Sequence, residues 1–323
     1  MNASAFVFGF EMQGRGEPTA KDIVLGVLMF AISFCGALFG LLNIYIIYKL
    51  EVFHNAFGWF WATRTSAEVM TNVLHVVFTA PVTTFQPKNI PIELGFIAYI
   101  IGYVGALTAC LLHQAVSANR LIAVFKPLQY KYIFSKANCI KMIIACLLPV
   151  PFILTLYFVI PCNMIGYSPT MYEFAFVSCE ANFYRNYSIV GTVTNRFCLV
   201  ICVFTIIVDS ATAFKIIHIR KIQKIGKDDQ QLRRDIRFFM QTSMQNVTMV
   251  ITSICITVAN NMYTMDLEVW RILGFYSIIV THLTNALSLI IFNPEVRRRL
   301  FSSKVSFSET SQIQSTSHAR QSI

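Results

Sequence analysis

The chain has 323 residues, 55% of them hydrophobic and 13% charged, with a net charge of +10 and a mean hydropathy of +0.59. Soluble domains carry about 25% charged and about 45–50% apolar residues, so this composition excludes a conventional soluble enzyme and a disordered chain alike. It reads as a polytopic membrane protein. Strands of a transmembrane barrel would alternate over about ten residues, whereas the apolar runs here are long and continuous.

A helix needs about 20 apolar residues to cross a hydrocarbon core about 30 Å thick. Seven segments meet that length: Ile23–Tyr48, Phe57–Thr83, Ile92–Phe125, Ala137–Ile160, Ser188–Ile219, Phe238–Val258 and Trp270–Phe292. The sixth is the least apolar. It carries Gln241, Gln245, Asn246, Thr248, Thr252 and Thr257, and so requires a polar bundle interior. Beyond Phe292, Val296, Leu300 and Phe301 form the apolar side of a short basic helix lying along the membrane surface. The predicted fold class is therefore an all-α membrane protein, a seven-transmembrane helix bundle with a short amphipathic helix after the seventh span. The chain divides into an extracellular N-terminus (1–22), a seven-transmembrane domain (23–301) and a disordered cytoplasmic tail (302–323) rich in Ser, Gln and Thr. Residues 1–20 lack the pattern of a secretory signal, so the first span is expected to serve as its own insertion signal.

Orientation follows from the basic residues. An outside N-terminus puts 19 of the 26 Lys and Arg on the cytoplasmic face, eight of them between Lys215 and Arg237. Five fall outside, and Arg64 and Arg196 lie within spans. Anionic headgroups attract such residues by about 1 kcal/mol each near the surface. The positive charge thus points to membrane lipid, and to an acidic cytoplasmic partner, rather than to nucleic acid.

The longest extracellular loop, about 161–187, contains Cys162, Cys179 and the glycosylation sequon at Asn186; a second sequon begins at Asn2. A third match, at Asn246, falls inside the sixth span. Seven of the nine cysteines sit in or beside the membrane as small apolar packing residues. Only Cys162 and Cys179 face an oxidising compartment. A bridge between them closes a loop of about 18 residues and constrains it by about 3 kcal/mol; the alternative is two free thiols.

Polar residues inside the spans recur on shared faces. Arg64, Glu68, Asn72 and His75 are spaced by three or four along span two. Tyr99, Ala106, His113 and Arg120 follow at sevenfold spacing along span three, and His282 and Asn285 share a face of span seven. Span one carries Asn43, and span five Asn195, Arg196 and Asp209. The plain reading of each is hydrogen bonding between helices; the functional reading is a polar site in the bundle interior, since ionisable groups in a membrane are expensive.

The pattern resembles the rhodopsin-like G-protein-coupled receptors. Asn43 in Leu-Leu-Asn-Ile-Tyr-Ile stands where that family keeps its asparagine, and Glu68 takes the place of its span-two aspartate. Asn119-Arg120-Leu121 stands for Asp-Arg-Tyr, followed by Pro127-Leu128-Gln129-Tyr130, and Asn285-Ala-Leu-Ser-Leu replaces Asn-Pro-x-x-Tyr. The outer cysteine of span three, the tryptophan of span four and the prolines of spans five and six are missing. The 119–135 segment, the Ile-Pro-Cys-Asn…Gly-Tyr-Ser-Pro-Thr loop and the Asn-Pro-Glu-Val-Arg-Arg ending resemble the nematode serpentine chemoreceptors, class X.

This resemblance implies a plasma-membrane receptor, with sensory-neuron cilia as a destination, that passes the binding of an external small molecule to a heterotrimeric G protein. It implies coupling through Asn119 and Arg120, with Arg120 linking spans three and six when inactive. Asn43, Glu68 and Asn285 form the intramembrane network. Tyr99, Tyr103, Arg196 and His282 are the candidate ligand pocket, Arg196 either pairing with a negative ligand group or reaching to the interface. The outer half of span three has no acidic residue, which argues against an amine ligand. No catalytic signature, cofactor or metal set is read in the chain. A retinal protein would need a lysine in span seven, and none occurs between Lys227 and Lys304. The alternatives are a receptor for a peptide or transmitter and a polytopic transporter, although the paired Gly/Pro interruptions of transporters are absent.

Overall fold

A computed structural model describes residues 6–181, 183–223, 230–261 and 267–301. The Asn2 sequon, the expected disordered tail and part of the third inner loop lie outside the described residues. Seven long helical spans follow in order. Span one is α1 (Ala20–Lys49); span two is α2 (Ala56–Leu74), a π turn (His75–Thr79) and α3 (Ala80–Phe85); span three is α4 (Ile92–Phe125). A short α5 (Tyr130–Ile133) leads to span four, made of α6 (Lys136–Leu147) and α7 (Pro149–Val159). Spans five, six and seven are α8 (Ile189–Gln223), α9 (Gln230–Asn261) and α10 (Leu267–Phe292), and α11 (Pro294–Phe301) is the short basic helix.

The interruptions have local causes. Pro81 has no N–H and its ring crowds the carbonyl four residues back, and the π turn absorbs that conflict without ending the span. Span four breaks at Leu148, directly before Pro149. Among the described residues, five helices are long and apolar enough to cross a membrane by length and composition, and spans two and six are the ones left out. Their polar residues face inward, and small residues make room for them. A side chain on Gly105 of span three would collide with Thr71 of span two.

One end of the bundle is covered. There β1 (Ile165–Ser168) and β2 (Glu173–Phe176) pair antiparallel, with Ile165 opposite Phe176 and Ser168 opposite Glu173. The Cys162–Cys179 disulfide closes the base of this hairpin, with the two Cα atoms 5.5 Å apart. Residues 6–19 form a strap across the same end. Met12 is fully buried against Gly166 of β1, where a side chain would displace its sulfur. Asp22 ties the cover together: it accepts from Arg15 Nη1 at 2.6 Å, Tyr172 Oη at 2.6 Å and Gln86 Nε2 at 3.1 Å, while it and Thr19 form a reciprocal cap on α1. At the opposite end Phe60, Trp61, Leu112, Val116, Leu289 and Val296 pack into one apolar core, which seats α11 beneath span seven.

Candidate functional site

The centre of the bundle holds an ionic hydrogen-bond network. Arg64 and Glu68, one turn apart on span two, are both buried and paired, Nε to Oε1 at 3.0 Å. Arg64 Nη1 donates to His113 Nδ1 at 2.7 Å. Since that nitrogen accepts, the ring hydrogen sits on Nε2, which donates to Asn246 Oδ1 at 2.5 Å. Asn246 Nδ2 continues the path to Asp209 Oδ2 at 2.6 Å. On the other side Asn285 Nδ2 donates to Glu68 Oε1 at 2.7 Å, and Gln245 Nε2 donates to Ser288 Oγ at 2.8 Å. Spans two, three, five, six and seven are thereby joined.

Two expected members stand in different relations. Asn285 contacts Glu68 directly. Asn43 does not: its Nδ2 donates to the Ala286 carbonyl at 2.7 Å, so span one reaches the group through the backbone of span seven. Arg64, His113, Asn246 and Asp209, which sequence reasoning saw as polar residues within spans but did not assign to the site, carry most of the network. The i,i+4 spacing of Arg64 and Glu68 was the available signal.

Towards the uncovered end, Arg120 of span three donates to Thr242 Oγ1 of span six and lies over the Phe57 ring, 5.4 Å from its centroid. Asp209 of span five acts on the same guanidinium electrostatically. Asn119 Nδ2 donates to Tyr130 Oη at 3.0 Å, so it holds the loop after span three rather than the arginine beside it.

Between the network and the hairpin lies a cavity of about 280 Å³. Its walls are aromatic: Tyr99, Tyr103 and Tyr157 with Phe174 of β2, their ring centroids 5.3–5.7 Å apart and the rings mostly edge to face. Phe275 closes a further side, and Arg64, Glu68, His282 and Asn285 line the floor. At the rim Arg271 Nε pairs with Glu173 Oε1 at 3.1 Å. Burial raises the Glu173 carboxyl to about 7, outweighing the opposing pull of Arg271. Of the four candidate pocket residues, Tyr99, Tyr103 and His282 line the cavity. Arg196 does not. It is exposed on the outer face of span five, because its position in the helical turn points it away from the bundle. Among the described residues no group of three His, Cys, Asp or Glu side chains is arranged to hold a metal ion.

A seven-helix bundle with a covered end, an aromatic cavity beneath the cover and a polar network below it is the architecture of a G-protein-coupled receptor. Squid rhodopsin has a similar fold, with a TM-score of 0.69 at 12% identity over 94% of this chain and 86% of that one. The chain belongs to the serpentine type 7TM GPCR chemoreceptor Srx family, whose model matches residues 30–293. It is a family of receptors, not of enzymes. No curated protein matches the sequence.

Proposed function

We propose that this chain is a chemosensory receptor whose central cavity binds an external small molecule and whose opposite end activates a heterotrimeric G protein. One observation carries the reading. Glu68 and Arg64 line the cavity floor, and the path Glu68–Arg64–His113–Asn246–Asp209 runs from that floor to a carboxylate that acts electrostatically on Arg120. A ligand that binds one arrangement of this path better than another shifts the balance between the two states. Asp209 then supplies the acidic group that Asn119 cannot, and Arg120–Thr242 is the bridge between spans three and six that must part on activation.

In this reading the strap and hairpin face outside with residues 1–22, so Asn186, exposed on the loop beyond the hairpin, is open to glycosylation. The basic face and residues 302–323 lie in the cytoplasm beside the G protein. The family supports a multi-pass protein of the plasma membrane, and the proposal extends this to the ciliary membranes of sensory neurons. A receptor for a peptide fits less well, because the strap and hairpin cover the cavity.

Arg120→Ala tests the proposal. It removes the group that bridges the spans and the cation that acts on Asp209, while the Arg64–Glu68 pair and the hydrogen bonds of His113 and Asn246 remain. Surface amount, read with an antibody to an N-terminal tag on intact cells, stays within about twofold of the parent. Ligand-driven G-protein activation is nearly abolished. Normal activation at normal surface level would show that Arg120 does not couple the receptor.

A further inference from the structure

The cavity has an ion pair at each end, and the two differ in how far they are closed. At the floor the side chains of Arg64 and Glu68 are 1% and 4% exposed, sealed by the network around them. At the rim those of Arg271 and Glu173, which also line the cavity, are 28% and 20% exposed. Arg271 faces the cavity by its place in the helix: Arg271, Phe275, Ile278 and His282 recur at three- and four-residue spacing, and all line it. Its Nε meets Glu173 Oε1 at 3.1 Å. Nη1 and Nη2 have no further partner among the described residues, and neither is sealed from its surroundings. A guanidinium with both outer nitrogens free presents the fork that a carboxylate fits with two parallel hydrogen bonds.

Charge decides between ligands. Glu173 is a weak counter-charge for Arg271, because burial raises its carboxyl to about 7. Near neutrality it is protonated in about half of the molecules, and Arg271 then stands without an anion. The other charged groups around the cavity are engaged. Glu268, one turn before Arg271 on span seven, pairs with Lys21 at 2.5 Å, and Arg64 and Glu68 balance each other at the floor. The phenols of Tyr99, Tyr103 and Tyr157 supply no charge near neutrality. An incoming anion therefore meets an unmatched cation, whereas an ammonium group meets a like charge. Below the rim the walls are rings and aliphatic groups, and at about 30 Å³ for each water-sized group a cavity of about 280 Å³ holds about nine.

Resting on the receptor reading above, we infer that the cavity takes a small apolar carboxylic acid as its anion, with the carboxylate on the Nη arms of Arg271 and the apolar body among the rings. Glu173 yields the guanidinium to the ligand and takes up one proton. The rim then holds one cation, one anion and one neutral acid, and its net charge is unchanged. Binding of the anion is thus coupled to proton uptake, and it weakens as pH rises through about 7. An alcohol of the same length brings no charge to Arg271, and an amine needs Glu173 ionised while lying beside a cation. The negative ligand group for which the sequence offered Arg196 is met by Arg271.

Six-carbon probes separate these cases: hexanoate, n-hexanol and hexylammonium, bound at pH 6 and pH 8 to the full-length receptor in nanodiscs of zwitterionic lipid and corrected with empty discs. Hexanoate and hexylammonium are charged at both pH values. At pH 6 hexanoate is expected at least about tenfold tighter than n-hexanol, with hexylammonium weakest. From pH 6 to pH 8 hexanoate weakens about tenfold, as the protonated share of Glu173 falls by that factor, while n-hexanol does not change. Arg271→Gln brings hexanoate to within about twofold of n-hexanol and leaves n-hexanol as it was. Glu173→Gln, a neutral stand-in for the protonated acid, keeps hexanoate at pH 8 as tight as the parent binds it at pH 6. Hexanoate no tighter than n-hexanol at pH 6, hexylammonium tighter than hexanoate, or a series in which nothing binds each overturns the inference. Hexanoate bound equally at both pH values overturns the proton uptake. A pH dependence that survives in Glu173→Gln moves the proton to another cavity group, His75 or His282, and overturns the part given to Glu173. The series on the unaltered receptor decides the matter even if a variant does not fold. Nucleotide exchange on a G protein, measured in the same discs, separates the two claims. Hexanoate binding without exchange refutes the receptor reading and leaves the ligand class standing; exchange driven by n-hexanol or hexylammonium alone does the reverse.

Discussion

Span two and span four are of similar length and have opposite surroundings. Span two buries Arg64, Glu68, Asn72 and His75, and hydropathy does not select it as a membrane helix. Span four is among the most apolar of the chain, yet little of it is buried, and Leu148, Phe152 and Val159 stand exposed where lipid would cover them. The contrast shows where a helical membrane protein keeps its chemistry. Lipid is as apolar as leucine, so an apolar helix gains little by moving inward, whereas a charged helix must find partners there. The least hydrophobic spans become the interior.

The hardest blow to this contrast is Arg64→Ala. It strands Glu68 without its ion pair in a buried site, a loss of about 3–5 kcal/mol. Surface expression and thermal stability in detergent should both collapse, and Arg64→Ala with Glu68→Ala should recover part of the loss. Parental stability of the single variant would mean that the pair does not hold span two in place.

Next in size is the hairpin cover. Cys162→Ser is expected to cost about 2–4 kcal/mol, as is Cys179→Ser, and the double variant no more than either, since each alone removes the whole bridge. Additive losses would show that the two sulfurs act separately.

A smaller effect is expected at the rim. With its carboxyl raised to about 7, Glu173 binds a proton more readily in the folded receptor than in the unfolded chain. Its contribution to stability is therefore full below the unfolded carboxylate range and is lost as pH rises through about 7. Over the same rise the ion pair with Arg271 forms. Melting temperature measured from pH 5 to pH 8 should fall more steeply for the parent than for Glu173→Gln. Parallel curves would place the Glu173 proton outside this window.

Phe152→Ala, on span four, closes the series. The ring is 66% exposed, and the change should alter stability by less than about 0.5 kcal/mol and leave signalling intact. A loss comparable with that at Arg64 would mean that span four packs against something other than lipid.

Much of this was legible beforehand because it is local. The predicted third span, Ile92–Phe125, has the observed bounds, and the other six agree within a few residues at most ends, span six extending further toward the third inner loop. The Cys162–Cys179 pairing followed from which side of the membrane each sulfur faces. The shared face of Arg64, Glu68, Asn72 and His75 followed from 3.6 residues per turn. The rotation of each helix about its own axis was less accessible. Neighbouring residues point about 100° apart, so a small error in facing moves a side chain from the cavity to the lipid, as it did for Arg196.

Length, hydropathy and the placement of basic residues therefore determined the number of spans, the fold class and the faces that carry polar groups. Which polar groups meet was decided by the tertiary structure alone. Glu68 finds Asn285 across 217 residues, Asn43 the Ala286 carbonyl across 243, and His113 joins Arg64 to Asn246 across 49 and 133. Helical periodicity says nothing about such distances along the chain; the packing of seven helices, turned so that Arg64 and Glu68 meet inside the bundle, brings those groups together.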